Sequence, residues 1–406
     1  VAVRKPSKAT VMQLRSRLAG QLREHGPMLV DVGLAFLLSQ LLFYVVAIVA
    51  FAFVAPYSGH AYQPWSTHAP RLIDASWRWD SGWYSYIAQH GYVSTPGFQG
   101  VAFFPLFPYI LRAFYLILPA SWYFFEGVVI NHVIFALSLI PVWLYAERIG
   151  GRKVAQRTLF LLCIFPAALF FNAIYTEALF LLFSSLALVL FQRDRFGSAG
   201  VAGFFACLTR SFGIFLAVSG LIYAGVRWLR DRDSLSRTIW RVATLALIPL
   251  GIVVFMLMQL HIYGDPTLFL KVQTVAGWSH VKVFPLVSLY HAADYSLYHH
   301  SLTVINFMDA VNTGALAIAL ILGLVLLRSD PAGAVYSLLS VLLVLATPSG
   351  GDTLMSGARY VAVLFPIFVM LGRWAERRWF LGLLTVIFLP LSVALTILFV
   401  RWYWVV

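Results

Sequence analysis

The chain has 406 residues, of which 61% are hydrophobic and only 11% charged, with a mean hydropathy of +0.83. A water-soluble domain carries about a quarter charged residues, so the composition excludes one and specifies an integral membrane protein. The net charge of +13 would suit a nucleic-acid partner, but 21 of the 29 Lys and Arg fall in six short segments between apolar runs, which is the pattern of cytoplasmic loops.

The apolar runs are long, lack period-2 alternation and end without hairpin signals, so they read as helices rather than barrel strands. Six basic residues in 1–26 precede a run at 28–55. That run is too long for a signal-peptide core and lacks a cleavage site, so it is expected to stay as the first span behind a cytoplasmic basic segment, 1–27. Residues 56–100 then form a first outer loop. Further spans fall at 128–147, 158–171, 177–192, 242–263, 303–327, 332–347, 359–372 and 380–400, each near the length that crosses a bilayer. Basic segments at 148–157, 193–195, 227–241, Arg328 and 373–378 mark the inner face, leaving 264–302 as a second outer loop and 348–358 as a third.

Residues 199–226 are interrupted by Thr209-Arg210-Ser211 and flanked by basic segments, so two short helices meeting at Arg210 are expected. With 148–157 inside, either 101–118 or 128–147 fails to cross. The sum is one all-α polytopic bundle of about 10–12 spans, a single domain over residues 1–406. Cys163 and Cys207 lie within apolar runs, so no disulfide framework is implied.

The first outer loop is the densest in chemistry. No Pro interrupts Ile73 to Gln89, and His90-Gly91 reads as a helix end. As one helix, Trp77, Asp80 and Tyr84 share a face while Trp79, Trp83 and Tyr86 form another stripe, which suggests an amphipathic helix with its aromatics at the headgroup level. Asp80 is then either a solvated polar face or a general base able to take the proton of an attacking hydroxyl. Asp74 points elsewhere and is the weaker candidate. Arg78 either contacts lipid phosphate or balances Asp80.

Other charges lie deep in apolar surroundings. Glu177 follows Tyr175-Thr176 at the outer end of two short runs, and intramembrane carboxylates mark function by default. Arg210 and Arg359 each need an anionic partner. Either they pair with Glu177 and Asp352, or they hold a phosphate, to which the planar guanidinium fork is suited. Lys271 and Gln273 follow Gly264-Asp265-Pro266 and are either phosphate or sugar contacts or solvated loop residues. His90 either contacts a phosphate or caps its helix. His280, His291, His299 and His300 are scattered without metal-ligand spacing, so they read as solvated loop residues and no metal is expected.

Five stretches together are similar to one family. Trp79-Asp80-Ser81-x-x-Tyr84-x-x-Ile87-Ala88-x-x-Gly91-Tyr92 comes first, followed by Ala102-Phe103-Phe104-Pro105-Leu106-x-Pro108. This resembles the first-loop signature of the PIG-V family, the GPI mannosyltransferase II-like members of the GT-C glycosyltransferases. Asn172-Ala173-x-Tyr175-Thr176-Glu177, Thr209-Arg210-Ser211, Tyr263-Gly264-Asp265-Pro266-x-x-Phe269-x-x-x-Gln273 and Ser356-x-x-Arg359-Tyr360-x-x-x-x-Phe365-Pro366 follow in the family's order.

The resemblance implies a GT-C fold, a polyprenyl-phosphate-mannose donor and transfer of mannose, with inversion, to a lipid-linked or glycan hydroxyl at the outer face. Asp80 would be the base, and Arg210, Arg359, Lys271 and His90 would hold the donor phosphate. Asp74, Arg78, Trp79, Tyr84, Asn172, Glu177, Asp265 and Gln273 would contact substrate. The absence of a Walker A loop, a GxSxG elbow and any cytoplasmic segment large enough for a nucleotide-binding domain agrees with a lipid-phosphate donor. The chain is short for a eukaryotic GPI enzyme and its loops are compact, which suggests a prokaryotic member whose acceptor is a mannosylated phospholipid or cell-wall glycan. The rival reading is a transporter or flippase, which would carry inverted repeats; no second Trp-Asp loop is present.

Overall fold

Long apolar runs become helices because in lipid every backbone N–H and C=O must be paired within its own segment. A computed structural model describes residues 8–58, 67–94, 99–275, 278–298, 303–350 and 353–405; Asp352, His299 and His300 lie outside the described residues. In chain order the helices are α1 (Lys8–Phe53), α2 (Arg71–Asp74), α3 (Ser81–His90), α4 (Leu106–Tyr115), α5 (Tyr123–Gly150), α6 (Arg152–Ile164), α7 (Glu177–Gln192), α8 (Phe196–Thr209) and α9 (Phe215–Asp231). They continue as α10 (Leu235–Leu245), α11 (Leu247–Tyr263), α12 (Leu268–Lys271), α13 (Pro285–Tyr298), α14 (Val304–Leu326), α15 (Pro331–Ala346), α16 (Gly357–Ala362), α17 (Phe365–Trp374) and α18 (Arg378–Val400). Among the described residues no strand forms, only two isolated bridges, His280 with Ser349 and Ser349 with Thr353.

Among the described residues, six segments are long and apolar enough to cross a membrane: His25–Phe53, Tyr123–Gly150, Ser211–Arg230, Leu235–Tyr263, Val304–Leu326 and Arg378–Val400. The chain is thus a multi-pass membrane protein. Four further apolar helices, α7, α8, α15 and α17, have only 10–17 residues. At 1.5 Å per residue they measure roughly 15–24 Å, against a hydrocarbon core of about 30 Å. α7 accordingly starts at the fully buried Glu177 and α8 stops at the buried Thr209. The same arithmetic resolves the parity of the first half, because α4 with its ten residues is about 15 Å long and cannot cross, whereas α5 with 28 residues can.

Local chemistry sets the boundaries. Gly151 (φ 76°) and Gly264 (φ 74°) adopt the left-handed backbone that ends α5 and α11. Arg210 is extended (φ −157°, ψ 148°) and separates α8 from the turn leading into α9, so the expected pair of short helices meeting there is present. Asp330 caps α15 by accepting from the Gly333 amide at 3.1 Å, with Pro331 at the first helical position.

The expected single helix over 73–89 is not formed. The chain leaves α2 at Asp74, turns through 75–80 with Trp79 left-handed (φ 53°), and begins α3 only at Ser81. Nor do Trp77 and Trp79 face outward, although Tyr86 is exposed. Trp77 is fully buried and donates its indole N–H to the Phe124 carbonyl at 3.0 Å, while Trp79 packs edge-on against Trp402 and Trp404. Burying an indole with a partner for its N–H satisfies both its apolar body and its polar tip, and Trp77 does so inside the protein.

The two ends of the bundle differ. At one end, Asp31 of α1 accepts both Arg152 nitrogens at 2.9 Å, Gln156 at 2.9 Å and the Trp143 indole at 3.1 Å, tying α1 to α5 and α6. The basic segments around Arg152, Arg328 and Arg373 meet here. At the opposite end the second and third outer loops clasp each other. Val281 donates to Pro348 O at 3.1 Å, Gly350 to Ser279 O at 2.9 Å, and Ser349 Oγ to Trp278 O at 2.5 Å.

Candidate active site

Four charged side chains meet where four helices break. Asp80 stands at the start of α3, Glu177 at the start of α7, Arg210 after the end of α8, and Arg359 within α16. A carboxylate at a helix start is favoured by the helix dipole, which suits Glu177. An aspartate in the position of Asp80 usually caps its own helix. Here it makes no side-chain cap, which leaves its carboxylate free to turn away.

That carboxylate meets Arg359, whose Nη1 donates to Asp80 Oδ2 at 2.9 Å. Arg359 Nε lies 2.6 Å from Glu177 Oε1, close enough for an ion pair but without the direction of a hydrogen bond. Arg210 donates through Nη2 to the same Glu177 oxygen and through Nε to Thr176 Oγ1 at 2.7 Å. Two guanidiniums thus share one fully buried carboxylate, with Asp80 as the outer member, its side chain 22% exposed. Aromatic faces insulate the pair: the Arg359 guanidinium lies 5.0 Å from the Tyr175 ring and 5.5 Å from Phe170, and that of Arg210 lies 5.5 Å from Tyr360.

Besides Arg359 Nε, two buried atoms of the cluster lack a hydrogen bond. Arg210 Nη1 is buried without a hydrogen-bond partner, and so is Glu177 Oε2. Asp80 Oδ1 accepts no hydrogen bond among the described residues, since Arg359 uses only Oδ2. An unmade charged donor is costly in a protein interior.

The backbone around the cluster is held from several sides. Asn131 donates to Phe171 O and Ala173 O at 2.9 Å each, Asn172 bonds Ser39 and Gln40 of α1, and the Ile174 amide donates to Ser76 O. Tyr175 Oη accepts from the Asp80 amide at 3.1 Å. Trp79, just before Asp80, and Ser356 (φ 64°), just before α16, are both left-handed without being glycine. Such strain persists only where the surroundings over-determine it, and it gathers at functional sites.

The cluster forms the floor of a cavity of about 690 Å³. Of the residues singled out from sequence, Asp80, Tyr84, Arg210, Lys271, Gln273 and Arg359 line it. The others lie elsewhere. Glu177 is beneath the floor. Asp74 and Arg78 pair with each other at 2.8 Å, and Arg78 also donates to the Val400 and Trp77 carbonyls, so it neither balances Asp80 nor reaches lipid phosphate. Asn172 is committed to α1. Trp79 packs against the C-terminal tryptophans. His90 is exposed at the end of α3, its ring tilted against Tyr86 at 4.7 Å between centroids. Asp265 binds the Thr267 amide and hydroxyl and pairs with Lys271 Nζ at 2.6 Å; Lys271 and the two Thr267 bonds together hold its carboxyl down at about 2.

The cavity also includes residues to which the sequence assigned no site role. Thr176, Ser211, Ser356 and Tyr360 adjoin the charged residues in sequence, and adjacency was a usable signal. His280 was expected to be a solvated loop residue but lies in the wall, with Nδ1 2.7 Å from Thr347 O. Trp404 and Lys282 also line it, and nothing in the sequence marks either. Among the described residues no three His, Cys, Asp or Glu side chains gather as metal ligands would.

Comparison with known proteins bears on this site. The sequence profile of a family described as Mannosyltransferase (PIG-V) matches residues 36–328, which includes Asp80, Glu177 and Arg210 but ends before Arg359. Comparison with curated proteins returned no match. Among solved structures, the oligosaccharyltransferase of Archaeoglobus fulgidus in complex with Zn and sulfate is 13% identical with a TM-score of 0.45, covering 92% of this chain and 53% of that one. Its apo form gives 13% identity and a TM-score of 0.47, covering 92% and 56%. The complex of the same archaeon's oligosaccharyltransferase with an inhibitory peptide and a dolichol-phosphate gives 12% and 0.45, covering 94% and 56%. The chain spans just over half the length of these solved chains.

Proposed function

Because the chain belongs to the PIG-V family of mannosyltransferases, we propose that it is a membrane glycosyltransferase of GT-C type that transfers mannose from a polyprenyl-phosphate-mannose to a hydroxyl of a lipid-linked or glycan acceptor. We place the reaction on the extracytoplasmic side, since the cavity lies at the end of the bundle opposite the basic loops. The observation that carries this reading is the union, in one cavity, of a partly exposed carboxylate with a free oxygen, Asp80, and a buried guanidinium with a free N–H, Arg210.

In the proposed mechanism Asp80 Oδ1 takes the acceptor's proton as its oxygen attacks the anomeric carbon. The bond from that carbon to the phosphate oxygen breaks, and the lipid phosphate leaves. A single displacement inverts the anomeric centre. The donor phosphodiester gains one negative charge on leaving while Asp80 loses one on protonation. Arg359 bridges this shift. It binds Asp80 at rest, and as that charge is neutralised the guanidinium is released toward the phosphate, alongside Arg210. Preorganised cations aimed at developing charge are usually the largest catalytic contribution. Glu177 positions both arginines. Lys271 and Gln273, which line the same cavity, contact the donor.

The test is incubation of purified protein with tritium-labelled polyprenyl-phosphate-mannose and a panel of lipid and glycan acceptors, wild type against Asp80→Ala. Transfer by the wild type and its loss in a folded Asp80→Ala protein are expected. Unchanged turnover in the variant removes Asp80 from the mechanism, and failure of every acceptor with the wild type overturns the donor and acceptor assignment.

A further inference from the structure

A second cavity of about 690 Å³ lies at the basic end of the bundle, remote from the first. Three distant parts of the chain build it: the α5–α6 junction with Arg152, Lys153 and Arg157, the end of α14 with Arg328, and the end of α17 with Arg373. Five cations line it against one carboxylate, Glu376. Arg152 is already engaged by Asp31. Lys153, Arg157, Arg328 and Arg373 have no ion pair or side-chain hydrogen bond among the described residues, so four like charges converge on a hollow with little to neutralise them.

The positive-inside rule accounts for basic residues on inner loops. It does not account for three such loops closing around a cavity, because converging cations repel unless an anion joins them. The surroundings indicate where that anion comes from. Leu324, Val325, Leu327 and Trp374 are exposed beside the hollow, and Trp379 is 64% exposed on the next helix. These form an apolar flank with interfacial aromatics next to the charged pocket, so a molecule with an anionic head and apolar chains meets both surfaces at once. Basic pockets between membrane helices on the inner face are suited to such headgroups.

We propose that this cavity binds the phosphate of an anionic phospholipid headgroup, with its acyl chains along Leu324, Leu327 and Trp374. Bound there, the lipid ties α6, α14 and α17 together at the end of the bundle away from the catalytic cavity. It is a structural lipid, separate from donor and acceptor.

The proposal is tested on the delipidated, purified full chain in detergent. Native mass spectrometry counts retained lipid on titration with phosphatidylglycerol or phosphatidylcholine, and a parallel arm uses inorganic phosphate. Selective retention of phosphatidylglycerol by the wild type is expected. Each cation near the headgroup contributes about fivefold, so Arg157→Gln/Arg328→Gln/Arg373→Gln loses roughly 100-fold in affinity. The single variant Arg328→Gln, on an exposed loop, loses about fivefold and guards against misfolding of the triple. An equal charge change outside the pocket, Arg195→Gln/Arg230→Gln/Arg232→Gln, leaves retention within about twofold. Equal loss in that control reduces the effect to diffuse surface charge and overturns the site. So does retention that is unchanged in Arg328→Gln and the triple variant. Binding of inorganic phosphate without retention of phosphatidylglycerol overturns the lipid assignment.

Discussion

Glu177→Gln is the substitution whose consequence the structure specifies most fully. Glu177 is fully buried and its Oε1 is shared by Arg210 and Arg359, each about 9% exposed. The amide keeps the volume and removes the charge, leaving two buried guanidiniums with Asp80 as the one remaining carboxylate of the cluster. Breaking a buried pair by removing one partner costs about 3–5 kcal/mol. At roughly 1.2 °C per kcal/mol for a chain of this size, that lowers the thermal midpoint by about 4–6 °C. The protein carries its own reporters, since Cys163 and Cys207 are both buried and become reactive to a thiol-specific fluorophore only on unfolding. Replacing the charges together, as Glu177→Leu/Arg210→Met, leaves Arg359 facing Asp80 alone and recovers most of the midpoint, because exchanging a buried pair for apolar groups is often neutral. A Glu177→Gln midpoint within about 2 °C of wild type would refute the reasoning, as would a double variant less stable than the two single losses combined.

Other consequences follow from individual contacts. Arg210→Lys keeps the charge but loses the Nε bond to Thr176 and the free Nη1; transfer should fall about 10²–10³-fold, the range for losing one preorganised donor, with a midpoint near wild type. Arg78→Gln should do the reverse. Arg78 is 2% exposed, pairs with Asp74 and lies 4.8 Å from the Trp402 ring, so the variant unfolds earlier while its folded fraction keeps kcat and KM within about twofold. Asp265 has its pKa depressed to about 2 by Lys271 and Thr267. Its contribution is therefore present above the ordinary carboxylate range and lost only as pH falls toward 2. The midpoint difference between wild type and Asp265→Asn should accordingly be the same at pH 5 and pH 8; a difference that vanishes by pH 5 contradicts the assignment.

How far the sequence carried differs between fold and site. Composition and the length of the apolar runs specify a helical membrane bundle, and Arg210 between two basic flanks marked a helix break that the structure contains. The break at 75–80 was not legible, because Trp79 adopts a left-handed backbone that nothing in its identity announces. The same limit applies to the aromatics. A stripe of Trp and Tyr reads equally as a lipid-facing belt or a packed core, and only the tertiary partners of Trp77 and Trp79 decide it. In the site, Asp80, Arg210 and Arg359 stood out because charge is scarce in apolar surroundings, and Glu177 was foreseen as a partner for such arginines. The roles of Asp74 and Arg78 were opaque because an i,i+4 pair inside the loop satisfies both. Trp404 and Lys282 reach the cavity from segments far away in sequence, a juxtaposition that only the fold creates.

The proposed mechanism requires Asp80 to act as the base rather than as a member of a structural ion-pair cluster. The most direct measurement is a single-turnover experiment with Asp80→Asn, which preserves shape and a hydrogen bond to Arg359 but cannot take a proton. Donor binding and the transfer step are followed separately. General-base catalysis contributes about 10²–10⁴-fold, so the account predicts a transfer step slowed by that factor with donor affinity within about threefold of wild type. A transfer rate within about tenfold of wild type, with donor bound, contradicts it.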